Sequence, residues 1–439
     1  MSLKILNKKE LATTSLRKDA LSILFAGLKA VETTSIVKET VKRRGNTLFI
    51  HQKLYHLSEY RRIFVIGVGK AAYEAAKTLE SILGSWITDG IILDVKGGPL
   101  KHMKSLVGTH PLPSFTNIRA TAEIIGILKG VDSKDLVLVI VSGGGSALLC
   151  WPYQLTCDDM ASITNALMNR GATIQELNTV RKHTSEIQGG HLARLAYPAT
   201  VVGLIFSDVP GDDLSCVASG PTVLDTTTVK DAQHILKKYH VLQQCQLIHC
   251  DLRETPKDPI FFSHVTNELI VNNKMAVEAM NHQAQKLGYD SSIYSLTLTG
   301  EARESGKLFA GLAKPGEVLV AAGETTVTIQ GNGKGGRNQE FVLGALEMLP
   351  AQSLVLSCAS DGIDNGPVAG AFADDLVKVS ARRKHLEVKT FLDENNSFSF
   401  FQKTKTAIKT GKTGINVSDL MVCLGGKNQK RGRILVEKV

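Results

Sequence analysis

Two glycine-rich strings, nearly two hundred residues apart, carry the residue types best suited to handling phosphate. The first, Ser142-Gly143-Gly144-Gly145-Ser146, follows the apolar run Leu136 to Val141; the second is Gly333-Lys334-Gly335-Gly336-Arg337-Asn338. Glycine lets the backbone approach a polyphosphate and aim N–H groups at it, and the positive end of a following helix attracts anions. A third turn, Gly67-Val68-Gly69-Lys70-Ala71-Ala72, has the GxGxxA spacing of a phosphate-binding turn, with Gly67 and Gly69 as its glycines. Lys70 and Arg337 are the cations beside these loops, placed to neutralise oxygens on a transferred phosphoryl group. The chemistry implied is phosphoryl transfer in a cleft.

Such chemistry calls for Mg2+, which asks for one or two carboxylates and keeps several waters. Two acidic loops follow apolar runs: Ser207 to Asp213, with Asp208, Asp212 and Asp213, and Ser360 to Asp364, with Asp361. Acids at the carboxyl ends of strands in an open α/β sheet lie where ligands bind, although loop aspartates more commonly cap helices or stabilise turns. Asp208 or Asp212 is the candidate base for an acceptor hydroxyl. The string Asn178 to Ser185 gathers Arg181, Lys182, His183 and Ser185 beside Gly189-Gly190. Arg181 suits a bidentate clamp on a substrate carboxylate, and a helix end with cations complementing its dipole explains the string equally well. Gly411-Lys412-Thr413 lacks the first glycine of a P-loop, since position 406 is Thr.

The elements that must position these residues follow βαβ grammar. Ile63 to Gly67, Gly90 to Val95, Leu136 to Val141 and Thr200 to Phe206 read as strands; Arg17 to Val31, Ala71 to Leu83, Phe115 to Leu128 and Asp158 to Asn169 read as helices. A polar stretch from His249 to Pro259 suggests a boundary. It divides the chain into 1–254, a doubly wound Rossmann-like domain, and 255–439, a smaller α/β domain, with the active site in the cleft between them. In the second domain the pattern predicts strands at Glu268 to Val271 and near Ile293, two strands meeting at Gly323, and strands at Ser353 to Cys358 and Leu420 to Leu424. It predicts helices through Lys286, from Glu301 to Leu312 and from Asn338 to Leu349.

At 439 residues, 43% hydrophobic and 21% charged, the composition is that of a globular chain long enough for two cores. The formal net charge of +9 suits anionic ligands, but the cations are dispersed and aromatics are only 5%, so small anions are expected and nucleic acid is not. Seven cysteines without a CxxC pair argue against a disulfide framework and against structural zinc. No run reaches the length of a membrane span and the amino terminus lacks the apolar core of a signal peptide; the default expectation is the cytoplasm, with the number of subunits left open.

With these strings assembled, the chain resembles the glycerate 2-kinase family, whose members join an N-terminal Rossmann-like domain to a C-terminal MOFRL domain. The likeness runs from about Leu21 to Val422. It is carried by Gly69-Lys70-Ala71, His110-Pro111, Ser142 to Leu148, Asn178 to His183 with Gly189-Gly190, Ser207 to Asp213, Ala218 to Thr222, Gly323 to Val327, Gly335 to Glu340, Asp361-Gly362 and Gly414 to Leu420. The resemblance implies transfer of the ATP γ-phosphoryl group to the 2-hydroxyl of D-glycerate with a divalent metal, and implies that Lys70 and Arg337 are catalytically important. It places Glu324, Thr325, Gly335, Gly336 and Asn338 with the nucleotide. The chain departs from the family at Asp364-Asn365-Gly366-Pro367-Val368, at Ser114, and at Gln188 and His191, where relatives often carry cations. A competing reading is an NAD(P)-dependent hydroxypyruvate reductase, drawn from the GxGxxA turn and from Asp94 in the place of a ribose-binding acid. A third is a catalytically silent nucleotide or sugar-phosphate binder.

Overall fold

The computed structural model describes residues 3–209 and 211–427, so Pro210 and the last twelve residues lie outside the described chain. Among the described residues two compact units emerge, 31–272 with 414–417, and the residues before Val31 with 273–413 and 418–427.

In the first unit the helix Thr33–Thr40 leads into a three-stranded antiparallel sheet, β1 (Val41–Arg44), β2 (Thr47–Ile50) and β3 (Lys53–His56). Its β1–β2 turn is the two-residue pair Gly45-Asn46, with Gly45 at φ +57°, a hairpin signal that sequence reading passed over among the lysines and arginines. The main sheet is formed by β4 (Arg62–Val68), β5 (Asp89–Asp94), β6 (Lys104–Val107), β7 (Asp135–Ser142), β8 (Thr200–Phe206) and β9 (Val265–Val271). They lie in the order β6-β5-β4-β7-β8-β9 and every pairing is parallel. This is the doubly wound order, whose topological switch point falls between β4 and β7. All eight residues of β7 are buried, as expected of a central strand covered on both faces.

The second unit holds a mixed sheet of β10 (Asp290–Leu298), β11 (Glu317–Gly323), β12 (Ser353–Ala359), β13 (Gly370–Asp374), β14 (Ala407–Ile408) and β15 (Asp419–Gly425), ordered β10-β11-β15-β12-β13-β14. Only β10 and β11 run parallel; the other pairings are antiparallel. One strand, not two, reaches Gly323: beyond it the chain makes a single bridge from Thr326 to Glu301.

The division between the compact units falls at Asn272/Asn273, beside an expected boundary at 254/255, and residues before Val31 group with the other unit. The polar stretch is not a linker, because its side chains are fastened within the first unit. Arg253 pairs with Glu186, Glu254 meets His183 Nε2 at 3.1 Å, and Thr255 donates to Asp225 at 3.0 Å. The strand β9 that follows completes the parallel sheet. The helix Ser15–Ala30 buries Leu21, Ile23, Leu24 and Leu28, and packs so closely on the helix Asn273–Lys286 that a Cβ on Gly27 would come within 2.6 Å of Met280. Arg17 locks it there by a buried two-pronged pair, Nε and Nη2 donating to Asp374 at 2.6 and 2.8 Å. Arg17→Leu therefore leaves a buried carboxylate unpaired and is expected to cost about 3–5 kcal/mol in urea unfolding; a loss below about 1 kcal/mol would show that the pair does not anchor the helix.

Candidate active site

In the first unit, three strand ends and one returning segment converge at the switch point. Gly69 packs so tightly on Ser142 that any Cβ there would overlap Ser142 Oγ and its carbonyl. Lys70 N–H donates to Gly143 O at 2.9 Å and Ala71 N–H to Ser142 Oγ at 3.1 Å. Gly67 lies inside β4 against Ile92 and Ala72. These contacts give Gly67, Gly69 and Ser142 a positioning role in place of the expected phosphate contact, because the N–H groups of the GxGxxA turn already serve the neighbouring loop. Asp94 is likewise occupied. Its Oδ2 accepts from Tyr73 N–H at 2.9 Å and its Oδ1 from Val95 N–H at 2.6 Å, capping the helix Ala72–Leu83 with no exposure to a ribose.

Gly143 is covered by Asp208 and Asn416, whose Oδ2 and Nδ2 a side chain at 143 would overlap; the Asn416 amide donates to Asp208 Oδ2 at 2.8 Å. Asn416 comes from the far end of the chain, and the only sequence sign of its role was its place in the Gly414 to Leu420 string. Gly144, at φ +79°, lies under the Lys70 stem and the His110 ring, and Gly145 packs on Ala218. The half-exposed groups of this cluster are Lys70, Gly144, Ser146 and Asp208. Ser146 Oγ shares a 2.9 Å hydrogen bond with Ser219 Oγ.

Beside this cluster, Pro111, Pro113, Ser146, Trp151, Arg181 and Gln188 line a small, partly open cleft of about 20 Å3. No carboxylate among the described residues pairs with Arg181, and burial pushes its guanidinium down to about 10. An unpaired cation in a small cleft is suited to an anionic ligand. The other members of the predicted substrate string have partners within the unit, although Ser185 also lines the cleft. Lys182 is buried against Asp225 at 3.1 Å; His183 is held between Thr179 O at 2.8 Å and Glu254; Ser185 Oγ accepts from Ile187 and Gln188 N–H. On the helix Ile174–His183, Arg181 is the member of that string left to meet a ligand.

Asp208 and Asp212 share one loop, and Asp212 Oδ2 accepts from Asn272 at 2.6 Å. Asp213 caps its own turn through Ser215 N–H, and Asp361, in the second unit, caps Ile363 N–H. No cluster of three or more His, Cys, Asp or Glu suited to a metal occurs among the described residues.

In the second unit, Arg337 opens the helix Arg337–Ala345. Its Nε and Nη2 donate to Asp419 at 2.5 and 3.2 Å, and Nη2 also reaches Glu324 at 3.1 Å. Burial works against the charge, but these two carboxylates hold the guanidinium above its ordinary range. The helix amino terminus is already filled: Asp364 accepts from Asn338 N–H and Gln339 N–H at 3.0 and 2.9 Å, and a Cβ on Gly336 would overlap its carboxylate. Asn338 is buried and takes the Ser357 hydroxyl at 2.6 Å, Gly335 abuts Ser397, and Thr325 is buried with Oγ1 unpartnered. Gly336 and Asn338 thus build the loop from within, and the groups of it open to a ligand are Lys334, Gly335, Arg337 and Glu324.

Burial pushes both Asp94 and Asp364 up to about 6, against the pull of their N–H partners. Each carboxyl therefore binds its proton more tightly folded than unfolded. Each adds stability below about pH 4 and withdraws it as pH rises through about 6. Carboxyl carbon NMR should show two aspartate midpoints near 6, one of them absent in Asp94→Asn; midpoints near 4 for both would contradict this.

The strand order and the loops gathered at its switch point define an α/β protein built to hold an anionic ligand, with a second mixed-sheet unit. Residues 19–248 match the family described as Domain of unknown function (DUF4147), and residues 317–419 match the MOFRL family. A glycerate 2-kinase of Pyrococcus horikoshii is 34% identical, with 95% of this chain and 99% of that protein aligned. The crystal structure of glycerate kinase from Thermotoga maritima superposes with a TM-score of 0.79 at 32% identity, over 93% of this chain and 99% of that one. A protein of Agrobacterium vitis described as a putative hydroxypyruvate reductase is 36% identical over a shorter span, 83% of this chain and 87% of its own length. The chain belongs to the glycerate 2-kinase family.

Proposed function

We propose that this protein transfers the γ-phosphoryl group of ATP to the 2-hydroxyl of D-glycerate, giving 2-phosphoglycerate and ADP. The observation that carries the reading is the pairing, within one unit, of the Lys70–Gly144–Asp208 cluster with a cleft holding the unpaired Arg181. The full-length likeness to proteins named glycerate 2-kinase supports the same substrate.

Arg181 receives the glycerate carboxylate and fixes the acceptor. Asp208, oriented by the Asn416 amide, takes the proton of the 2-hydroxyl as it attacks. Lys70 neutralises charge on the phosphoryl oxygens, and Arg337, on the glycine-rich loop of the other unit, is the further cation whose part in turnover remains to be tested. Mg2+ bound with the nucleotide would supply further charge neutralisation, with Asp212 the carboxylate placed to hold it. A reductase reading is not favoured, since Asp94 is sealed as a helix cap and the GxGxxA turn is closed by Ser142.

Arg181→Met should raise KM for glycerate by roughly 10- to 100-fold with a smaller change in kcat, the loss of a charged hydrogen bond made equally in ground and transition states. The overall reading is tested by running two assays in parallel, glycerate-dependent ADP release and hydroxypyruvate-dependent NAD(P)H oxidation. ADP release alone is expected; NAD(P)H oxidation alone would replace the kinase reading with the reductase.

A further inference from the structure

Gln188 lines the Arg181 cleft and is 2% exposed. Its Nε2 donates to two backbone carbonyls, Ser146 O at 2.8 Å and Leu149 O at 2.9 Å. Those two acceptors fix which way the amide points, because a flipped amide would set its oxygen against both carbonyls. The Oε1 that remains is buried and has no hydrogen-bond partner. A buried acceptor left unmatched costs about 1–3 kcal/mol, and the side chain that carries this one lines the cleft.

We propose that Gln188 is a specificity-determining residue of the acceptor site: its Oε1 accepts a hydrogen bond from the 3-hydroxyl of the acceptor while Arg181 holds the carboxylate. The inference rests on the proposed reading that Arg181 binds glycerate. A three-carbon acid has few donors to offer. With the carboxylate on Arg181 and the 3-hydroxyl on Gln188, the 2-hydroxyl is the one left for phosphoryl transfer. Because the amide nitrogen of the same side chain holds the carbonyls of Ser146 and Leu149, acceptor recognition and the shape of the glycine loop are joined in one residue. A cation at this position would offer donors only, and a hydroxyl donor would find no acceptor on it.

The test uses three acceptors that differ only at carbon 3: D-glycerate, D-lactate, which lacks the 3-hydroxyl, and 2-hydroxy-3-methoxypropanoate, which keeps the oxygen but cannot donate. The wild-type protein should prefer glycerate over both by at least about 1,000-fold in kcat/KM, since a site built around a hydroxyl rejects analogues lacking its proton. Gln188→Met should shrink the glycerate-to-lactate ratio to less than about tenfold. The wild-type comparison needs no variant, so a Gln188→Met protein that fails to fold leaves the proposal open to refutation. Equal use of the three acceptors by the wild type would overturn it, as would an unchanged ratio in Gln188→Met. If instead Arg181→Met leaves the KM for glycerate unaltered, the carboxylate reading fails and takes this inference with it, whereas a raised KM in Arg181→Met beside an unchanged Gln188→Met ratio overturns this inference alone.

Discussion

Lys70→Ala should lower kcat for glycerate phosphorylation by about 100- to 1,000-fold, the usual consequence of removing one group that stabilises developing charge. What fastens the turn at residue 70 is backbone, the N–H donated to Gly143 O, and an alanine keeps it. The side chain is half-exposed and its stem lies over Gly144, so unfolding free energy should change by less than about 1 kcal/mol. Lys70→Arg should recover only part of the loss, since a planar guanidinium is not a compact ammonium charge. Near-normal turnover in Lys70→Ala would remove the cation from the mechanism.

Arg337→Ala should have the largest effect on stability of any single change at the site. Asp419 is 1% exposed and is paired with the Arg337 Nε and Nη2, so deleting the guanidinium strands a buried carboxylate at a cost of about 3–5 kcal/mol. For a unit of this size that corresponds to a fall in melting temperature on the order of 10 °C. Loss of activity in that variant alone would therefore say little about catalysis. Combining Arg337→Met with Asp419→Asn removes both charges and should restore most of the stability while turnover stays low. Recovery of turnover together with stability would make Arg337 a structural residue only.

The sequence made the parallel sheet legible because β4, β5, β7 and β8 are short apolar runs ending in glycine, serine or acid, and each lies within two residues of its expected span. It made the carriers of charge legible for the same reason, since Lys70, Asp208 and Arg337 follow strand ends or open helices. What it could not show is which groups are already engaged by distant partners. Ser142, Lys182, His183 and Asn338 look like ligand contacts in isolation, and each is taken by a residue between 4 and 71 positions away. The reverse also holds: Gln188 reads as a departure from a cationic pattern, and only its two carbonyl partners reveal an acceptor oxygen left over. A run of Asp, Arg, Glu and Lys such as 251–257 resembles a linker until its ion pairs are known.

The most direct test is phosphorus NMR of the product formed from ATP, Mg2+ and D-glycerate, read against authentic 2- and 3-phosphoglycerate. The account predicts 2-phosphoglycerate, formed in step with ADP and lost in Lys70→Ala. Accumulation of the 3-isomer would contradict the placement of glycerate between Arg181 and Gln188, and ADP release without either isomer would contradict glycerate as the acceptor.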